Sequence, residues 1–231
     1  MMPVVTEQDN RKAVVLLSGG LDSAVSLAKA RHDGRQCFAL TFRYGQRHAI
    51  EIEAASRVAK ALAAHRHLVM DLDLRPIGGS SLLGQGEVPR GRDLDAKEIP
   101  STYVPARNTI FLSLALGWAE VLGADEIWIG VNEVDTSGYP DTRPEFIAAF
   151  EETASLATRR AAEGHRIKIV APLQGLDKTA IVRLGMRLGV DLSLTWSCYN
   201  PLPGPIPCRE CDSCRLRARG FDGAGVRDPL I

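Results

Sequence analysis

An apolar run at residues 13–17 is followed at once by Ser18-Gly19-Gly20-Leu21-Asp22-Ser23, and then by Val25, Leu27 and Ala28 at helical spacing to about Arg31. Strand, glycine turn and helix in that order commit the N-terminal third to an α/β unit. Two glycines let the backbone approach a ligand closely, and amides at a helix start point toward an anion. Ser18 and Ser23 add hydroxyl donors. The pattern G-x-x-x-x-G-K-[ST] is absent, so any phosphate bound here is held without a lysine in the turn.

The alternation continues beyond the turn. Residues 37–42 and 68–71 read as strands, with Ile50, Ala54, Val58 and Ala61 at helical spacing between them. Residues 109–122, 145–162 and 178–188 read as helices, and 126–130 and 167–171 as extended segments. This order predicts an α/β fold with a doubly wound, mostly parallel sheet of Rossmann type. A chain of 231 residues with 45% hydrophobic content can bury one core plus a small appendage. The division expected is a nucleotide-binding α/β catalytic domain at 1–194 and a C-terminal segment at 195–231.

Two segments break the pattern. Residues 75–101 are rich in Gly, Pro and charge and too long for an ordinary connection, which predicts a mobile loop over the active site. From Thr195 onward, Pro201, Pro203, Pro205 and Pro207 argue against regular structure. In that tail Cys208, Cys211 and Cys214 are spaced C-x2-C-x2-C, with Cys198 ten residues upstream. Four thiolates suit a closed tetrahedral zinc site, and zinc binding contributes on the order of 10 kcal/mol to folding a small metal site. An iron–sulfur cluster uses the same spacing and stays open as an alternative. Cys37, alone in an apolar strand, reads as a small buried hydrophobe.

The 28 basic and 28 acidic residues cancel, which argues against a nucleic-acid partner. No apolar run approaches the roughly 20 residues needed to cross a bilayer, and the first dozen residues lack a secretory core. A cytoplasmic protein without a membrane partner is expected.

The hexapeptide at 18–23 is similar to the signature of the pyrophosphatase-loop ATPases, which transfer AMP to a carboxylate or carbonyl oxygen. Further segments are Tyr44-Gly45-Gln46-Arg47-His48, Tyr103-Val104-Pro105-Ala106-Arg107-Asn108, Ser137-Gly138-Tyr139-Pro140-Asp141, Arg143-Pro144-Glu145-Phe146 and Cys211-Asp212-Ser213-Cys214-Arg215-Leu216-Arg217. With the cysteines, these blocks resemble the 7-cyano-7-deazaguanine synthase family from about residue 13 to the C-terminus. Departures from that family's usual residues fall at Arg43, Glu133, Thr136 and Thr142, in loops expected to line the base pocket.

The resemblance implies an adenine-nucleotide alpha-hydrolase-like fold and an ATP-dependent carbon–nitrogen ligase of queuosine biosynthesis. It would convert 7-carboxy-7-deazaguanine and ammonia to 7-cyano-7-deazaguanine (preQ0) through an adenylated carboxylate and an amide. It implies ATP binding by Leu17, Ser18, Gly19, Gly20, Leu21, Asp22 and Ser23, and catalytic roles for Asp22, Ser23, Arg47, His48, Arg107 and Lys178. Substrate binding falls to Gln46, Tyr103, Arg107, Asn108, Asp135, Tyr139, Asp141 and Arg143. It further implies Mg2+ with ATP, structural Zn2+ on Cys198, Cys208, Cys211 and Cys214, and a homodimer. The rival readings are an amide-forming relative acting on a 7-deazapurine acid, a tRNA sulfur transferase with an iron–sulfur cluster, and a zinc module that senses ATP without turnover.

Overall fold

The computed structural model describes residues 11–46, 49–84, 86–94, 98–133 and 138–230. Five parallel strands form one sheet: β1 (Lys12–Leu16), β2 (Gln36–Arg43), β3 (Arg66–Asp71), β4 (Glu126–Trp128) and β5 (Lys168–Val170), in the order β3-β2-β1-β4-β5. β1 is central because it is buried on both faces. Val14 and Leu16 join one core cluster, whereas Ala13, Val15 and Leu17 join the other, the two-residue period of a covered strand.

The helices divide between those clusters. α1 (Leu21–His32), most of the buried face of α2 (Ile50–Ala61) and α6 (Lys178–Arg187) close one side through Leu27, Val58 and Ile181. α3 (Arg107–Leu122) and α4 (Pro144–Ala157) close the other through Leu112, Ala115, Ile147 and Phe150. This is the doubly wound sheet that the alternation predicts. Strand order reverses between β1 and β4, and crevices at the carboxyl ends of such strands are where ligands bind.

Two predicted elements differ. The expected helix over 145–162 breaks at Thr158, whose hydroxyl accepts from the Ala161 amide at 3.2 Å and starts the short α5 (Arg159–Ala162). A threonine in a β conformation offers the backbone an alternative to continuing the helix. The C-terminal tail contains regular structure that its prolines concealed: α7 (Asp212–Ala224) begins after the last of them and ends at the left-handed Gly225. Its buried positions Cys214, Arg217, Gly220 and Phe221 recur at helical spacing.

The tail is packed into the body of the protein. Trp196, Cys198, Cys211 and Cys214 belong to one core cluster and Phe221 to the other. Gly220 and Gly223 allow α7 to lie directly on the start of α6, since a Cβ at Gly223 would stand 2.3 Å from Thr179 Oγ1. Arg217 is buried, bonded twice to Asp228 at 2.7 and 3.0 Å and once to Thr195 Oγ1 at 2.7 Å. Among the described residues no helix is long and apolar enough to cross a membrane.

Candidate active site

At the carboxyl ends of β1 and β4 lies a cavity of about 270 Å3, lined in part by the glycine turn. Leu17, Ser18, Gly20, Leu21, Asp22 and Ser23 line it. The turn holds itself open through hydroxyls. Ser18 N donates to Ser23 Oγ at 3.2 Å, Ser23 Oγ donates to Gly20 O at 3.0 Å, and the two serine hydroxyls are 3.0 Å apart. Gly19 faces away from the cavity: its φ is +86° and it packs on the α2 backbone at Glu51 and Ala55. From the far side Gly130 closes on the turn, 3.1 Å from the Ser23 amide nitrogen if it bore a Cβ.

Asp22 opens α1 and meets two groups from distant parts of the chain. Lys178 Nζ donates to Asp22 Oδ2 at 2.6 Å, and Asn132 Nδ2 donates to the same oxygen at 3.4 Å. Lys178 is aimed there because Asp177 caps α6, its carboxylate accepting from the Ala180 amide at 2.7 Å. The other carboxylate oxygen, Oδ1, is buried with no hydrogen-bond partner. An orphaned carboxylate oxygen beside a glycine turn at a helix start is the donor type a hard divalent cation takes.

The opposite wall is aromatic and carries Arg107. Arg107 Nη1 donates to Tyr44 Oη at 3.3 Å, and the guanidinium sits 5.8 Å from the Tyr44 ring centroid. Burial opposes the charge of Arg107, but Tyr44, Tyr199 and Tyr139 outweigh it and hold the pKa above the ordinary arginine value. Burial raises the Tyr44 phenol against the lowering effect of Arg107. Phe42 and Phe111, stacked at 4.2 Å, belong to the same wall. Ala106, at φ +52°, turns the chain into α3 and sets the direction in which Arg107 leaves it.

Several residues expected in the site come together here: Gln46, Arg107, Asn108, Tyr139 and Lys178 line the cavity with the turn. Tyr103 stands behind Tyr139, ring centroids 5.9 Å apart. Asp141 faces inward to the protein instead, its buried carboxylate accepting from the Asn108 amide at 2.9 Å. Arg143 is exposed at the start of α4, outside the cavity lining. Arg47, His48 and Asp135 lie outside the described residues.

Of the four departures, Thr142 lines the cavity, Arg43 pairs on the surface with Asp71 at 2.6 Å, Glu133 is exposed and Thr136 lies outside the described residues. The segment at 75–101 does reach the cavity, through Arg92, Leu94 and Pro100. It also buries Leu82, Leu83 and Val88, and Arg92 donates to Asp212 of α7 at 3.1 Å.

Glu51, Asn132, Gly130 and Tyr199 also line or shape the site without a motif signal of their own, and Tyr44 joins them from a segment in which the resemblance gives it no role. Glu51 stands out chemically: burial pushes its carboxyl up to about 7, with Arg107 pulling the other way.

The four tail cysteines form a second centre beside this cavity. Their sulfurs all lie within 4.8 Å of one another, so the set could hold one metal ion. A tetrahedron with Zn–S bonds of about 2.3 Å needs sulfurs about 3.8 Å apart, close to this arrangement. The Cys208 and Cys211 amides donate to Cys198 Sγ at 3.2 Å and Cys208 Sγ at 3.4 Å, as backbone amides do around thiolate ligands. Hydrogen bonds from Cys198 and Cys214 stabilise the Cys211 thiolate and lower its pKa, while theirs rise.

The family model described as queuosine biosynthesis protein QueC matches residues 12–225. The chain is 59% identical over 228 residues to 7-cyano-7-deazaguanine synthase of Solidesulfovibrio magneticus, covering 97% of each chain. It is 60% identical over 224 residues to that of Syntrophus aciditrophicus, covering 96% of this chain and 97% of the relative. With the Stutzerimonas stutzeri protein of the same name, identity is 57% over 222 residues, or 96% and 98% of the two chains. Identity of that depth over nearly the whole chain, together with the family match across residues 12–225, places the chain in the QueC family of queuosine biosynthesis proteins.

Proposed function

We propose that this chain is an ATP-dependent carbon–nitrogen ligase that converts 7-carboxy-7-deazaguanine and ammonia to 7-cyano-7-deazaguanine in the cytoplasm, working as a homodimer. The observation that carries the reading is a single cavity that joins the glycine turn to an aromatic wall bearing Arg107. A planar base fits between aromatic rings, and a carboxylate fits a guanidinium. Relatives named 7-cyano-7-deazaguanine synthase, at 57–60% identity over nearly the whole chain, support the same product.

A carboxylate resists attack because its charge is delocalised. Transfer of AMP makes its carbon electrophilic and releases pyrophosphate onto the turn. There the amides and hydroxyls of residues 18–23 and the Lys178 ammonium meet the developing charge. Arg107 orients the substrate carboxylate toward the α-phosphate. Ammonia displaces AMP to give an amide, and a second activation at the amide oxygen allows its dehydration to the nitrile. Arg47 is assigned a further cation for the phosphates, and His48 deprotonates ammonium before attack. Gln46, Asn108, Tyr139 and Tyr103 position the base, with Asp141 holding Asn108 in place; Asp135 and Arg143 complete the substrate-binding assignment drawn from sequence.

Mg2+ would be held through Asp22, whose Oδ1 has no partner, and would neutralise phosphate charge. Zinc on Cys198, Cys208, Cys211 and Cys214 would fix the segment at 195–231 to the catalytic domain at 1–194. A sulfur-transfer reading lacks its nucleophile: four cysteines share one centre, and burial pushes the remaining Cys37 thiol up to about 12.

The test is mass spectrometry of the protein incubated with 7-carboxy-7-deazaguanine, ammonium, magnesium and ATP. Nitrile and AMP are the expected products. An amide endpoint, or no conversion, would overturn the assignment.

A further inference from the structure

Each nitrogen-transfer cycle has protons to dispose of after the C–N bond has formed. Attack of ammonia on the acyl adenylate forms C–N and breaks C–O, AMP leaves with the electron pair, and nitrogen must lose one proton to become a neutral amide. Activation of the amide oxygen displaces pyrophosphate and releases a second proton from nitrogen. Departure of the second AMP forms the nitrile and releases the third.

The cavity offers a carboxylate for this traffic. Glu51 stands in the first turn of α2, and its backbone carbonyl packs against Gly19 of the phosphate-binding turn. It lines the same cavity as Asp22, Lys178 and Arg107. No hydrogen bond within the described residues claims its side chain, and it forms no close ion pair there, so the carboxylate is left to the cavity. Asp22 differs in this respect, because Lys178 and Asn132 already engage it.

We propose that Glu51 is the catalytic base that takes up the protons released from nitrogen during amide and nitrile formation, an inference that rests on the reaction proposed above.

Among the described residues, the other charged and titratable groups lining the cavity are Arg107 on α3, Tyr44 beyond β2, Asp22 at the glycine turn with Lys178 of α6, Tyr139 and Tyr199 on the far wall, and Arg92, Asp212 and Arg217 from the long connection and α7. Arg107 is the charge that acts on it, and Glu51 in turn acts on Tyr44. Burial outweighs Arg107, so the carboxyl exchanges its proton near neutrality, where a base both accepts and releases protons efficiently. Base catalysis of this kind is worth about 100-fold or more in rate.

The experiment compares wild type, Glu51→Gln and Glu51→Asp in two assays. The first is exchange of labelled pyrophosphate into ATP with 7-carboxy-7-deazaguanine and no ammonium, which reads adenylation alone. The second is mass spectrometry of amide and nitrile formed with ammonium between pH 5.5 and 9, values spanning neutrality as a base of this kind requires. Glu51→Gln is expected to keep the exchange within about threefold and to lose about 100-fold in nitrogen transfer. Its pH profile loses the acidic limb near neutrality, and Glu51→Asp regains part of the rate. Nitrogen transfer at the wild-type rate in Glu51→Gln would overturn the role. So would loss of exchange together with transfer, which would place Glu51 in nucleotide binding. Absence of exchange in the wild type would overturn the proposed reaction, and the proton role with it.

Discussion

Gly19 has two independent reasons to be glycine. Its φ of +86° is the left-handed region, and a Cβ there would lie 2.4 Å from the Glu51 carbonyl oxygen and 2.6 Å from the Ala55 nitrogen. Both obstacles are backbone, so neither can swing aside. Gly19→Ala is expected to cost about 2–5 kcal/mol, read by urea denaturation. Asp22→Ala should lower AMP formation on the order of 100-fold or more while leaving the melting temperature and metal content near wild type. Wild-type turnover in that variant would refute its role. Glu51 gives a pH effect with a definite sign. Its folded pKa, near 7, lies above the unfolded value of 4.5, so between those values the folded state binds more protons and stability falls as pH rises. Glu51→Gln removes that slope, and the gain at pH 8 relative to pH 4 is on the order of 1–3 kcal/mol by denaturant titration.

At the scale of elements, α6 links a local signal to a distant contact. Asp177 caps the helix, and the cap fixes where Lys178 points. Asp177→Ala is expected to lower stability by about 1 kcal/mol and to raise KM for ATP, checked by thermal melts and steady-state kinetics. The Asp177-Lys178 helix start was legible in the sequence, as were β1, β2 and the glycine turn, because each is specified by residues within a few positions of one another. Contacts between remote segments were not. Lys178 and Asp22 are 156 positions apart, and no local pattern reports their meeting. Glu51 and Glu53 look alike as acids in a first helical turn, yet one lines the cavity and the other is exposed. The helix α7 was hidden by four prolines that all precede it, although Gly225 marked its end.

The whole molecule is closed by its tail. Arg92 of the long connection and Asp212, Ser213, Leu216 and Arg217 of α7 share the cavity lining with the glycine turn. If the four cysteines hold the proposed zinc, keeping it off them by chelation, or by Cys211→Ser, is expected to release this wall. Thermal stability and ATP affinity should fall together, with a change in fluorescence from the buried Trp196, since a structural metal site contributes on the order of 10 kcal/mol. Retained ATP affinity in the metal-free protein would argue that the tail is independent of the site. The Trp196 amide donates to the Gly19 carbonyl at 2.8 Å, so the geometry of the first turn is completed by a residue synthesised long after it. A nascent polypeptide emerging from the ribosome therefore carries an unfinished glycine turn until the tail has docked. Turnover is expected only in molecules that have been translated past this point and have folded the tail onto the turn.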